Sequence, residues 1–86
     1  MLLEFYGQEC PHCLHMAPLV ERLEKETGVE VQQYEVWSSE ENARKMGEYD
    51  KGLCGGVPFF FNTATGKFIC GSTAYENLKQ WAGVHE

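Results

Sequence analysis

Residues 9–18 read ECPHCLHMAP. Two cysteines, Cys10 and Cys13, stand two residues apart, with Pro11 and His12 between them and Pro18 five residues beyond. The run before them, MLLEFY (residues 1–6), is apolar enough to read as a short buried strand, which Gly7 ends. Pro11 suits the first position of a helix, where its missing N–H would have had no intrahelical partner. Met16, Leu19, Val20 and Leu23 then recur at i, i+3, i+4 and i+7, one face of a helix, with Arg22, Lys25 and Glu26 off that face. Gly28 closes the helix, and Pro18 inside it is expected to kink it and free the Leu14 carbonyl. A cysteine pair at a strand-to-helix turn is too close together to staple distant segments. It reads as a redox dithiol or as part of a metal site.

The rest of the chain extends this pattern. Val29–Trp37 alternates and is rich in β-branched and aromatic residues, a second strand. Ser38 with Glu41 forms a capping box for a second helix through about Tyr49. Asp50–Gly56 is a glycine-rich loop. Val57–Phe61 is a strand with Pro58 at its start, where proline is tolerated. Residues 62–66 turn, and Lys67–Cys70 completes a hairpin. Thr73 with Glu76 caps a last helix that carries Tyr75, Leu78 and Trp81 on one side. The order is β-α-β-α-β-β-α in an α/β domain spanning residues 1–86. The first two strands, joined by a helix, should be parallel through a right-handed crossover, and the last two antiparallel. A mixed four-stranded sheet flanked by helices follows. Phe59, Phe60 and Phe61 would then alternate between two covered faces, so core packing accounts for them.

Composition narrows the function. The 86 residues carry a net charge of −6, with 43% hydrophobic and 23% charged residues. That balance suits a soluble domain and argues against nucleic acid and anionic membrane surfaces as partners, which require clustered Lys and Arg. No apolar run reaches membrane-spanning length. Met1-Leu2-Leu3 is followed at once by Glu4, with no basic start or long apolar core, so no leader is read and a cytoplasmic location is expected; a monomer is expected as well. A leader removed beforehand would leave the same sequence.

Cys10 sits where the first strand hands over to the helix, near unsatisfied backbone N–H groups and the positive end of the helix dipole. Both favour thiolate over thiol in a residue whose ordinary pKa is about 8.5. The thiolate is the species that attacks a disulfide. Cys13, three residues on and on the core side, would be the more buried, resolving partner. His12 at the helix tip would further stabilise a thiolate, and Glu9 would oppose it. The competing reading is a metal-binding or delivery module in which Cys10 and Cys13, with His15 and Cys54, bind zinc; a closed site usually takes two such cysteine pairs, and one is present. Cys54, four residues before Pro58, reads as an incidental loop cysteine, with a second regulatory thiol as the alternative. Cys70 reads as a small buried hydrophobe. A Cys54–Cys70 bridge is compatible with the sequence, but nothing in the spacing calls for it.

With these residues in view, the chain resembles the thioredoxin superfamily. Its CPHCLHMAP matches the pattern C-x-x-C-x-x-x-A-P, with Ala17 and Pro18 in place. Gly56-Val57-Pro58 matches the second signature, a cis-proline loop that faces the dithiol, and Gly71 matches a glycine near that loop. The length is that of a glutaredoxin or a small glutaredoxin-sized thioredoxin, lacking an extra N-terminal strand and helix. The Pro-His dipeptide is similar to that of periplasmic disulfide oxidants, whose large inserted domain is absent. The resemblance implies a thioredoxin fold and a thiol–disulfide oxidoreductase with a Cys10–Cys13 redox disulfide. Cys10 would attack and Cys13 resolve, while Val57, Pro58 and Pro11 would contact an extended substrate, a form of strand addition. Glu4, six residues before Cys10, stands where thioredoxins carry a buried aspartate that helps deprotonate the resolving cysteine. Gln33 falls where that carboxylate's lysine partner is usual, and Glu9 where tryptophan is usual. Glutaredoxins place a basic residue near the cysteine pair, and here Gln8 and Glu9 stand instead. A protein disulfide is therefore the expected substrate, with a partner reductase or small thiol as electron source and with no cofactor or metal.

Overall fold

In a computed structural model of the protein, residues 1–83 are described, so the last three residues of the domain expected over 1–86 lie outside them. The elements are β1 (Leu2–Tyr6), α1 (Pro11–Thr27), β2 (Val31–Glu35), α2 (Glu40–Asp50), β3 (Phe59–Asn62), β4 (Phe68–Cys70) and α3 (Tyr75–Trp81). The strands form one sheet in the order β2-β1-β3-β4. β1 runs parallel to β2, with Glu4 opposite Gln33, and antiparallel to β3, with Phe5 opposite Phe59. β3 and β4 form an antiparallel hairpin in which Phe59 faces Cys70.

Position in the sheet explains the sequence of each strand. β1 lies between two neighbours and is covered on both faces, so Leu2, Leu3, Glu4 and Phe5 are all buried and no polar alternation survives. On one face Leu2, Val31 and Phe60 pack against Met16, Val20 and Leu23 of α1 and Leu78 and Trp81 of α3. On the other, Leu3, Phe5 and Phe59 pack against Met46 of α2. The three consecutive phenylalanines divide accordingly, with Phe60 on the first face and Phe59 and Phe61 on the second. Each fully buried side chain of this size contributes about 1.5–3 kcal/mol.

Several boundaries differ from the sequence reading. β2 covers only Val31–Glu35, and β3 starts at Phe59, after Pro58. α1 ends as expected at Gly28, whose φ of 75° places it in the left-handed region and whose N–H donates to the Glu24 carbonyl at 3.0 Å. The helix is continuous across Pro18. Pro18 and Leu14 are both exposed, so a carbonyl left unpaired there has water within reach. The cap of α2 is Ser39, which accepts from the Asn42 N–H, while Ser38 is drawn away by the Glu35 carboxylate. Ala74, not Thr73, precedes α3 and offers no side-chain cap; the Thr73 hydroxyl accepts instead from the Asn77 side-chain amide.

The largest correction concerns Cys70, which is exposed and bonded to Cys54. Cross-strand partners share a face of the sheet. Cys70 therefore projects to the side of Phe59, the α2 side, where Cys54 lies just past the end of α2 and packs against the same cluster. The bridge spans 16 residues of sequence and encloses Pro58, β3 and most of β4. A loop of that length is worth about 3 kcal/mol in the chain-entropy description. Replacing both residues by serine (C54S with C70S) should lower stability by about 2–4 kcal/mol, as read from urea unfolding of the oxidised chain against the variant. A loss below about 0.5 kcal/mol would mean that the bridge adds nothing the hairpin does not already hold.

Candidate functional site

Cys10 is the residue that starts α1. Its backbone is extended (φ −73°, ψ 118°), its N–H donates to the Gly7 carbonyl at 3.2 Å, and its carbonyl accepts the first helical bond, from Leu14, at 3.0 Å. Its sulfur accepts from the Cys13 N–H at 3.2 Å, taking the place that a cap oxygen fills elsewhere. The Cys10 thiol also points at the Val57 carbonyl, 3.8 Å away. The Cys13 sulfur accepts from the Gly7 N–H at 3.5 Å. Both thiols are free, and burial does not rank them: Cys10 is 4% exposed and Cys13 5%. Cys13 is thus not the more deeply buried of the two.

An open groove separates their surroundings. It has a volume of about 590 Å³ and runs between the β1–α1 turn, α2 and the segment before β3. Cys10, Pro11 and His12 line it on one side, Ala43, Met46 and Gly47 on another, and Gly55, Gly56 and Val57 on a third; Cys13 does not line it. The Val57–Pro58 peptide is cis, with Val57 half-buried and Pro58 buried behind it. Trp37 completes the wall although it is 57% exposed. It lies flat against Gly7, where an added Cβ would come within 2.3 Å of the indole. The sequence reading missed Trp37 and Met46. The available signal was a large aromatic residue just past a strand end, together with a glycine at the matching end of the neighbouring strand.

The electrostatics are dominated by a buried carboxylate. Glu4 is 2% exposed and accepts from the Gln33 side-chain amide at 2.8 Å. The pairing follows from the register, which sets Glu4 opposite Gln33. Burial raises the Glu4 pKa, the Gln33 hydrogen bond opposes this, and the Glu24 charge adds to it. The Cys13 thiol is pushed up to about 12, first by burial and then by its hydrogen bond with Cys10; the Gly7 N–H opposes, and the charges of Cys10 and Glu4 add. Glu4 is thus close enough for its charge to be felt at Cys13. Asp50, also buried, holds the loop beyond α2 by accepting from the Cys54 and Gly55 backbone N–H groups. Glu35 ties the Trp37–Ser38 turn to the β1–α1 turn by accepting from the N–H groups of Gln8, Trp37 and Ser38 and from the Ser38 hydroxyl. These bonds, the Ser38 hydroxyl first, lower its pKa.

His12 is exposed beside Cys10 at the groove, and His15 is exposed one turn along. Cys54 is engaged with Cys70, and among the described residues no cluster of three or more His, Cys, Asp or Glu side chains could hold a metal ion. Among the described residues, the donors the sequence offered for a zinc module (Cys10, Cys13, His15 and Cys54) are therefore not gathered into such a cluster. Among the described residues, no helix is long and apolar enough to cross a membrane.

The same architecture occurs in solved structures. A mutant of the thioredoxin-like protein BC3987 superposes with a TM-score of 0.67 at 15% identity, covering 98% of this chain and 96% of that one. The glutaredoxin Grx-1 from Archaeoglobus fulgidus superposes with a TM-score of 0.65 at 21% identity, covering 93% of this chain and 83% of that one. The chain has the thioredoxin fold. No protein-family model matches the sequence, and no curated protein matches it. At these identities the likeness fixes the architecture, and the thioredoxin-fold site is read from its own residues.

Two outcomes test this geometry. Gly7→Ala must displace Trp37, because the clash is with a ring packed flat on the backbone; a loss of about 1–3 kcal/mol is expected, with a shift in tryptophan emission. Unchanged emission and stability would show that the indole does not rest there. For Glu4, the raised pKa means that the folded chain keeps the proton to higher pH than the unfolded chain. Its contribution is present below the unfolded value of 4.5 and is lost as pH rises through the folded value. Glu4→Gln, neutral at every pH, should therefore melt higher than the parent at neutral pH and close to it in acid. A lower melting temperature at neutral pH would contradict a destabilising buried carboxylate.

Proposed function

We propose that the protein is a thiol–disulfide oxidoreductase acting on protein disulfides through Cys10 and Cys13. The observation that carries this reading is the unequal placement of two free thiols: Cys10 lines an open groove, whereas Cys13 lies outside it with a pKa pushed up to about 12. At neutral pH Cys13 stays protonated, which leaves Cys10 to attack.

In the forward step the Cys10 thiolate attacks one sulfur of a substrate disulfide. A Cys10–substrate bond forms, the substrate bond breaks, and the released substrate thiolate takes up a proton. Cys10 then carries no charge and is a weaker hydrogen-bond partner for Cys13, so two of the influences that raise the Cys13 pKa diminish, while the Gly7 N–H remains to stabilise a thiolate. Glu4 is the proposed acceptor of the Cys13 proton. The Cys13 thiolate attacks the Cys10 sulfur, closes the Cys10–Cys13 disulfide and expels the second substrate thiol. Two electrons and two protons pass to the substrate. A partner reductase or small thiol returns them.

The groove supports an extended polypeptide as the other reactant. The Val57 carbonyl beside the Cys10 sulfur is positioned to accept a backbone N–H from a strand-like segment. Val36, Trp37, Ala43 and Met46 give the walls an apolar character, and no lysine or arginine lines them. The carboxylates of glutathione would find no fixed cation there.

With Cys13→Ser, a disulfide-containing peptide should accumulate as a stable adduct on Cys10, visible by mass spectrometry and released by a reducing thiol. Cys10→Ser should form no adduct and show no turnover. Equal trapping on either cysteine would overturn the assignment of roles.

A further inference from the structure

We propose that the Cys54–Cys70 disulfide is a second, regulatory thiol–disulfide site, a reducible lock on the segment that forms one wall of the substrate groove. The proposal rests on the reading of Cys10 and Cys13 given above and adds a control on it. The segment from Lys51 to Val57 contains no helix or strand. Lys51 has a positive φ of 50°, and Gly52 and Gly55, at 82° and 72°, are glycines whose backbone is free to adopt many other conformations, so the segment's own sequence does little to fix its path. Yet Gly55, Gly56 and Val57 face Cys10 across the groove, and the Val57 carbonyl sits at the Cys10 sulfur.

Three kinds of tie fix this segment. At its start, the Asp50 side chain and carbonyl accept from Cys54, Gly55 and Leu53 N–H groups. Past its end, the Gly71 N–H donates to the Pro58 carbonyl at 2.8 Å. Between them the only covalent tie among the described residues is Cys54–Cys70, which anchors the segment to an edge strand rather than to the buried sheet centre. Cys70 is exposed, so an incoming thiolate can reach its sulfur.

The chemistry is ordinary thiol exchange with a dithiol. One reductant thiolate attacks the Cys70 sulfur and forms a mixed disulfide, and Cys54 leaves as a thiolate and takes up a proton. The second reductant thiol then displaces Cys70. The protein gains two thiols and the reductant becomes a disulfide. With the bridge open, residues 51–57 lose their tie to β4, and the wall that should hold the substrate beside Cys10 becomes mobile. Under reducing conditions such a bridge is open to reduction, so exchange at Cys10 would be tuned by the surrounding redox poise.

The test compares the oxidised-bridge chain with C54S/C70S, both with Cys10 and Cys13 intact, and confirms folding of each by circular dichroism. Amide hydrogen exchange reports on residues 51–57. Exchange kinetics with a disulfide-containing peptide report on Cys10. The variant should lose protection across residues 51–57 by about tenfold or more through local opening, while the sheet centre loses only what the lower global stability accounts for. It should also show kcat/KM for the peptide lowered about five- to tenfold, mainly through KM. Unchanged protection overturns the proposal, as does lost protection with kcat/KM within twofold of the parent. No exchange with the peptide by the parent chain overturns the reading of Cys10 and Cys13, and the proposal with it. Because the double serine variant also loses stability, C10S/C13S titrated with dithiothreitol gives an independent arm. Protection of residues 51–57 must fall in step with the appearance of Cys54 and Cys70 thiols, and protection that persists after both are free overturns the lock.

Discussion

Both polar groups of one glycine hold the reactive end of this molecule together. The Gly7 N–H donates to the Cys13 sulfur and the Gly7 carbonyl accepts from the Cys10 N–H, so the residue that ends β1 fixes both thiols at the start of α1. Its missing side chain makes room for the Trp37 indole, which forms one wall of the groove. β1 can serve as the anchor because it lies inside the sheet with both faces covered. A shift of Gly7 would therefore be felt at both sulfurs and at the groove wall.

The site departs from what stability alone would favour. A carboxylate sits among the buried residues of the central strand with one side-chain amide for company, and a buried thiol is kept from ionising. Burial disfavours charge at both. These costs are spatially concentrated at Glu4 and Cys13, while the apolar clusters on the two sheet faces supply the opposing stability. Buried groups with raised pKa values beside a cleft are typical of sites that move protons. In the proposed mechanism the order of thiol chemistry follows from the same environment, because joining Cys10 to a substrate sulfur weakens two of the causes that raise the Cys13 pKa.

Much of the fold was legible because it follows from periodicity. The apolar face at Met16, Leu19, Val20 and Leu23, the Gly28 stop, and the alternation of Phe59, Phe60 and Phe61 all point to the observed layers. Helix caps were less legible, since Ser38 and Ser39 are equally good candidates until the Glu35 carboxylate is seen to claim one of them. The Cys54–Cys70 bridge could be named from the sequence as one option but not assigned. It depends on the register that sets Cys70 opposite Phe59 and on where the chain emerges from α2, neither of which is encoded in cysteine spacing. At the site, Cys10, Cys13 and Glu4 could be picked out from the motif and its offset, and the pairing of Glu4 with Gln33 is present in the structure. Met46 entered the groove through tertiary packing, and Trp37 through its packing on Gly7, which the sequence shows only as a glycine and an aromatic at matching strand ends.

The most direct measurement is the alkylation against pH of the chain that keeps the Cys54–Cys70 bridge closed and holds Cys10 and Cys13 as thiols, with the first site modified identified by peptide mass. Modification at neutral pH should fall on Cys10 alone, with Cys13 becoming the first site of attack at no pH well below about 12. Equal first modification of Cys13 and Cys10 near neutral pH would contradict the division of labour on which the proposed mechanism rests.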